Sequence, residues 1–234
     1  MNTSATPAQR IGRRRVLLAG ATGLVGRQIL RLLLADGSVE EVHIVGRRGP
    51  GVVHPKLTAH VVDFERLPPF SPVDEVYLAL GTTIRVAGSR QAFRAVDLDA
   101  NLAVAEAGIA AGARRVAVVS AVSANARSRV FYNRVKGELE AALGRLPVDA
   151  LVIAQPSMLL GDRAALQQPI RIGEKLGIWL SHILEPLLPL NYRAVRADAV
   201  AHALVATLPT ASGTVVLSSN ALARAGGWAP GLAE

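Results

Sequence analysis

The chain has 234 residues, half of them apolar, and a net charge of +8. That suits one sizeable core; with no cysteine, disulfides, thiolate metal sites and a Cys nucleophile are excluded. The five histidines lack metal-ligand spacing, so no metal site is expected, and no apolar run reaches the roughly 18 residues of a spanning helix. Cytoplasm is the default expectation.

Four of the positive charges come from Arg10, Arg13, Arg14 and Arg15, in a stretch without acid. Residues 1–14 are expected to form a flexible basic leader, and 15–234 a single domain. The leader has no apolar centre of the kind a secretory signal needs. Arginines without interleaved aromatics suit a solvated arm better than a nucleic-acid surface.

Val16 to Ala19 is a short apolar run that predicts a buried strand. Gly20, Gly23 and Gly26 follow at G-x-x-G-x-x-G spacing, where an apolar-periodic helix begins at Leu24. Gly20 suits a tight turn, Gly23 close approach to a pyrophosphate, and Gly26 close helix–strand packing. The N–H groups and positive dipole end of the helix would face the phosphates.

A second strand is predicted over 41–46, followed by Arg47 and Arg48. An acid there would meet the ribose 2′-hydroxyl of NAD, whereas arginine suits the 2′-phosphate of NADP(H). Residues 49–60 read as an irregular loop. His60 to Phe64 is predicted to be the third strand with its end, which would set Asp63 and Phe64 near the adenine. The fourth strand, 75–80, runs into Gly81, where a small residue lets a cofactor pass over the sheet edge.

Residues 91–111 predict one long Ala-rich helix, with Asp97, Asp99 and Asn101 read as solvated polars. Residues 115–120 are a fifth strand, apolar on both faces. A helix follows over 131–143 and a sixth strand over 149–154. The Pro-broken stretch 162–195 reads as a substrate-side lobe, with an apolar side that could serve a homodimer. A helix over 198–208, a strand over 214–217 and a loose tail over 220–234 complete the chain. The alternation of strands and helices predicts an α/β, Rossmann-like doubly wound parallel sheet with helices on both faces.

Tyr132 and Lys136 are four apart in one helix and share a face. A neighbouring ammonium favours phenolate, bringing the phenol below its ordinary value of about 10. Ser120, at the end of the fifth strand, could hold a substrate oxygen against the phenol; Ser123 in the same loop is the alternative. Together they would polarise a carbonyl while a nicotinamide delivers hydride.

Six stretches, GATGLVG (20–26), HIVGRR (43–48), VVDFERL (61–67), ALGTT (79–83), FYNRVKGELE (131–140) and LLGDR (159–163), occur in this order. The sequence thereby resembles the atypical short-chain dehydrogenase/reductase family, in its Tat-interacting-protein type. The resemblance implies a Rossmann-like fold holding NADP(H), with Thr22, Gly23, Leu24 and Val25 on the pyrophosphate. It implies Arg47 and Arg48 on the 2′-phosphate, and Leu80 and Gly81 under the cofactor. It sets Tyr132 and Lys136 at the nicotinamide ribose and Leu159 beside the carboxamide. Gln155-Pro156 stands where many relatives have Arg-Pro, and Ser120-Ala121 where many have Ser-Ser. The expected activity is NADP(H)-dependent oxidation or reduction of a small alcohol or carbonyl, with NAD(H) the lesser cofactor; a non-catalytic NADPH sensor with a protein partner is the alternative.

Overall fold

The computed structural model describes residues 13–160 and 194–225. The substrate-side lobe and residues 1–12 of the leader therefore fall outside the described residues, apart from the lobe's last two positions. Strand β1 is Arg14–Ala19, α1 Leu24–Ala35, β2 Val39–Gly46, β3 Leu57–Val61 and β4 Glu75–Leu78. Short helices α2 (Ile84–Ala87) and α3 (Arg90–Arg94) lead through a π-helical turn, Ala95–Ala100, into α4 (Asn101–Ala110). Then come β5 (Arg115–Val119), α5 (Phe131–Leu143), β6 (Ala150–Gln155), β7 (Leu159–Leu160) and β8 (Val195–Arg196). Helix α6 (Ala197–Thr207), β9 (Gly213–Ser218) and α7 (Ser219–Ala225) end the described chain.

Seven strands form one sheet in the order β3-β2-β1-β4-β5-β6-β9, all paired in parallel. Side chains alternate across it, because successive residues of a strand point to opposite faces. Val16 and Leu18 face one layer with Ile29 and Leu33 of α1 and Val200 and Leu204 of α6. Leu17 and Ala19 face the other with Phe93, Val104 of α4, and Val135 and Leu139 of α5. Both faces of the sheet are covered by buried apolar side chains, so the central strands carry continuous apolar runs rather than alternating ones.

Several expected boundaries shift. β3 begins at Leu57, inside the stretch expected to be a loop, and ends before Asp63. It is an edge strand with exposed side chains, so its burial pattern carries little signal. The predicted helix 91–111 is interrupted by the π-turn. The tail is helical over Ser219–Ala225, since Leu222 is fully buried against α6.

Arg14 is not part of a loose leader. It opens β1 and is 7% exposed, its Nη1 donating to both Glu75 oxygens at 3.0 and 2.8 Å. Its Nη2 donates to Asp36 at 2.6 Å and Ser38 at 3.1 Å, and the Tyr77 hydroxyl donates to Glu75 at 3.1 Å. Burial opposes the charge on Arg14, but the Glu75 hydrogen bonds and charge outweigh it and hold the guanidinium above its ordinary value. This cluster ties the amino ends of β1 and β4 together, leaving their carboxyl ends for the site.

Candidate active site

The glycine turn joins β1 to α1 at the carboxyl edge of the sheet. Gly20 has φ +87°, and a Cβ there would lie 2.3 Å from the Ala79 carbonyl oxygen. A Cβ on Gly26 would lie 2.0 Å from the Gly20 oxygen. These contacts let the first turn of α1 sit directly on the ends of β1 and β4, where the strand order reverses. The Gly23 N–H donates to the Gly20 carbonyl at 2.9 Å and closes the turn. Gly23 is the helix cap and has no side chain to satisfy the first N–H groups of α1. Thr22 is exposed and Leu24 partly so, whereas Val25 packs inward. An unfilled helix start next to a crossing of two backbones fits a pyrophosphate.

Arg47 and Arg48 leave β2 beside this turn, because Val45 pairs with Ala19. Both are exposed, and neither has an ion pair or hydrogen bond among the described residues. Asp63 is exposed just beyond β3, its carboxylate accepting the Glu65 N–H at 3.1 Å. Phe64 is half-buried against the second layer.

After β4 the chain passes through Leu80, Gly81, Thr82 and Thr83. This loop is held from the π-turn. Asp97, expected to be solvated, is 1% exposed. One of its oxygens lies 2.8 Å from the Lys136 ammonium and the other accepts the Thr82 N–H at 2.8 Å. Asn101 is also 1% exposed, and its amide nitrogen donates to Leu80, Val96 and Asp97 carbonyls at 3.2, 3.2 and 3.3 Å. Both residues share the helical stripe of buried Phe93 and Val104, a spacing that would have placed them inward. Asp99 is exposed as expected.

Tyr132 and Lys136 lie on one face of α5. The Tyr132 ring is half-buried, 5.7 Å from the Phe93 ring. Lys136 is 4% exposed and also donates to the Val119 carbonyl at 3.5 Å. The expectation of a depressed phenol is overturned. Burial pushes Tyr132 above its ordinary value; Lys136 pulls it down, but Asp97 pushes it up again.

Ser120 is buried at the end of β5, its hydroxyl donating to the Glu140 carboxylate, one turn beyond Lys136 on α5. The Gln155 amide donates to both Glu140 oxygens at 3.0 and 3.1 Å. Gln155 therefore anchors α5 to the end of β6 through Glu140, a residue the sequence reading passed over. Ser123 is exposed with φ +63°. Leu159 sits in β7, half-buried against the first layer. Among the described residues no group of His, Asp or Glu could hold a metal ion, and no helix is long and apolar enough to cross a membrane.

Residues 16–131 match the model of the NAD dependent epimerase/dehydratase family. The chain is 31% identical over 185 residues to "Protein FMP52, mitochondrial" of Candida albicans, covering 73% of this chain and 80% of that protein. It is 34% identical over 181 residues to "Protein HTATIP2" of Rattus norvegicus, covering 74% of this chain and 71% of that one. A short-chain dehydrogenase/reductase superfamily protein from Agrobacterium tumefaciens, solved with bound NAD, superposes with a TM-score of 0.64 at 16% identity. That match covers 87% of this chain and 77% of the other. The expectation of a cytoplasmic protein is overturned, since several fungal relatives are named mitochondrial.

Proposed function

Because the chain belongs to the NAD dependent epimerase/dehydratase family, within the short-chain dehydrogenase/reductase group of NAD(P)-dependent oxidoreductases, we propose that it moves hydride between NADP(H) and a small carbonyl or alcohol through a Tyr132–Lys136 relay. The observation that carries this reading is the position of the Lys136 ammonium. It shares the Asp97 carboxylate with Thr82, in the loop beside the glycine turn. This supports reading the glycine turn as a dinucleotide cradle and Tyr132–Lys136 as a proton-transfer pair at the same edge of the sheet.

In this reading Gly20, Thr22, Gly23, Leu24, Val25 and Gly26 hold the pyrophosphate at the start of α1. Arg47 and Arg48, exposed and without a carboxylate partner among the described residues, take the 2′-phosphate. Asp63 and Phe64 border the adenine, Leu80 and Gly81 lie beneath the dinucleotide, and Leu159 borders the carboxamide. The bound nicotinamide supplies or accepts the hydride. Tyr132 gives its phenolic proton to the substrate oxygen in reduction and takes it back in oxidation. Its raised position keeps it protonated at neutral pH, which suits carbonyl reduction. Lys136 favours the phenolate left behind and contacts the nicotinamide ribose. Ser120 is the hydroxyl that would steady the substrate oxygen.

One observation favours the second reading, a non-catalytic NADPH sensor: the Ser120 proton is directed at Glu140. The test is NADPH oxidation across a panel of carbonyl compounds, beside thermal shifts with NADPH and NADH. Turnover lost in Tyr132→Phe supports the enzyme. Tight NADPH binding without turnover of any compound supports the sensor.

A further inference from the structure

Two segments frame the proposed reacting centre. One runs over 81–96, from the loop after β4 to the residue before Asp97. The other runs over 121–137, from just past Ser120 through Tyr132 and Lys136. Neither contains an Asp or Glu, and between them they carry Arg85, Arg90, Arg94, Arg127, Arg129 and Arg134. Arg94 is neutralised by Glu138. The other five have no carboxylate partner among the described residues, and Arg85, Arg90, Arg127 and Arg129 are exposed. The segments meet at Phe131, where the guanidiniums of Arg90 and Arg134 lie over the ring, 5.2 and 5.6 Å from its centroid. The Phe93 ring lies 5.8 Å from Phe131 and 5.7 Å from Tyr132. The basic cluster and the proposed proton donor therefore share one aromatic support. Arg134 also donates to the Ser128 carbonyl at 3.0 Å, which fixes its head without neutralising it. Arg90 has no hydrogen bond or ion pair among the described residues, so the ring orients its fork while the N–H groups remain available.

The dinucleotide does not account for this charge. Its phosphates are assigned to the glycine turn and to Arg47 and Arg48 after β2. Arg90 and Arg134 belong to the β4 and β5 side, across β1 from β2 in the strand order. A cleft edge of one sign concentrates ligands of the other, and arginine forks match carboxylate and phosphate oxygens. We propose that the compound oxidised or reduced beside Tyr132 carries a carboxylate or phosphate, and that Arg90 reads this group, with Arg134 beside it on Phe131. The inference rests on the proposed function and names the substrate class of that same site. Arg90 holds the anion and takes no part in hydride or proton transfer. Its loss therefore raises KM for an anionic substrate and leaves kcat in place.

The experiment compares three matched aldehydes by NADPH oxidation: para-carboxybenzaldehyde, para-formylphenyl phosphate and the neutral para-methylbenzaldehyde. At least one anionic aldehyde is expected to exceed the neutral one in kcat/KM by about 10–100-fold, and which one does so tells carboxylate from phosphate. Arg90→Gln is expected to remove at least about tenfold of that advantage through KM, with kcat and the neutral aldehyde little changed. Arg145→Gln removes the same charge just past the other end of α5, about 20 Å away, and is expected to keep the advantage. Reduction of the neutral aldehyde with no advantage for either anion overturns the inference and leaves the proposed function standing. So does an advantage lost equally in Arg90→Gln and Arg145→Gln. If none of the three is reduced, binding of benzoate and phenyl phosphate to the NADP-loaded protein, measured by calorimetry, decides. Binding of either that is weakened about tenfold by Arg90→Gln supports the inference, and binding of neither overturns it. A wild-type protein that binds neither NADPH nor NADH overturns the proposed function and this inference with it.

Discussion

The Ser120 hydroxyl donates to the Glu140 carboxylate, and Gln155 holds that carboxylate from the neighbouring strand. The strand-end hydroxyl is thus an anchor before it is a substrate contact. Ser120→Ala should lower turnover less than Tyr132→Phe does, because the proton it could offer is already committed. Removing a catalytic donor outright costs about 10²–10³-fold. A kcat loss for Ser120→Ala matching that of Tyr132→Phe would return Ser120 to the centre of the chemistry.

Tyr132→Phe keeps the ring against Phe93 and removes only the hydroxyl. Fold and NADPH affinity should persist while turnover falls about 10²–10⁴-fold. Carbonyl reduction needs the protonated phenol. Burial raises the phenol, so the alkaline fall in kcat should come above the ordinary value of about 10. Lys136 lowers the phenol, so Lys136→Met should move that fall further up in pH. A pH–kcat profile with its alkaline fall below the ordinary phenol value would contradict this.

Gly23→Asp should leave the fold intact and abolish NADPH-induced stabilisation. A Cβ there lies 3.3 Å from the Gly20 oxygen, a contact that a small adjustment relieves. Its carboxylate, however, would repel the pyrophosphate. Gly20→Ala, by contrast, should destabilise the protein itself. Its Cβ overlaps the Ala79 backbone at a left-handed φ. Thermal melts with and without NADPH separate the two outcomes.

Arg47→Ala should reduce the preference for NADPH over NADH about 10–100-fold, chiefly by weakening NADPH. Melting without ligand should not change, because the side chain is exposed and has no partner among the described residues. Unchanged dissociation constants for both cofactors would remove Arg47 from the 2′-phosphate.

Arg14→Met should cost about 3–5 kcal/mol, since it strands Glu75, whose side chain is 2% exposed, without its cation. Urea unfolding measures it. The same cluster makes stability sensitive to acid. Burial works against the Asp36 carboxylate, but the Ser38 hydrogen bonds and Arg14 together hold it below the ordinary value. Its contribution is therefore present above the unfolded value, about 3.9, and is lost as pH falls through the lower folded value. Asp36→Asn should flatten that part of the stability–pH curve.

What local sequence determined is the frame. The apolar runs at 16–19, 76–78, 116–118 and 150–154 are strands because only a sheet covered on both faces buries every residue of such a run. The glycines at 20 and 26 marked the β1–α1 turn because no side chain fits against those backbones. The i, i+4 spacing of Tyr132 and Lys136 set them on one face of α5 through helix geometry alone.

Only the tertiary structure decided what each polar group meets. Arg14 and Glu75 lie 61 residues apart, and strand pairing at the foot of the sheet joins them. Ser120 turns to Glu140 because α5 returns across the end of β5. Asp97 is buried because the π-turn lies between the β4 loop and α5, each supplying one partner. A polar residue on a helix reads as solvated until a counter-charge arrives from elsewhere in the chain; desolvation is tolerable only where that charge is, and its position is a property of the packed fold.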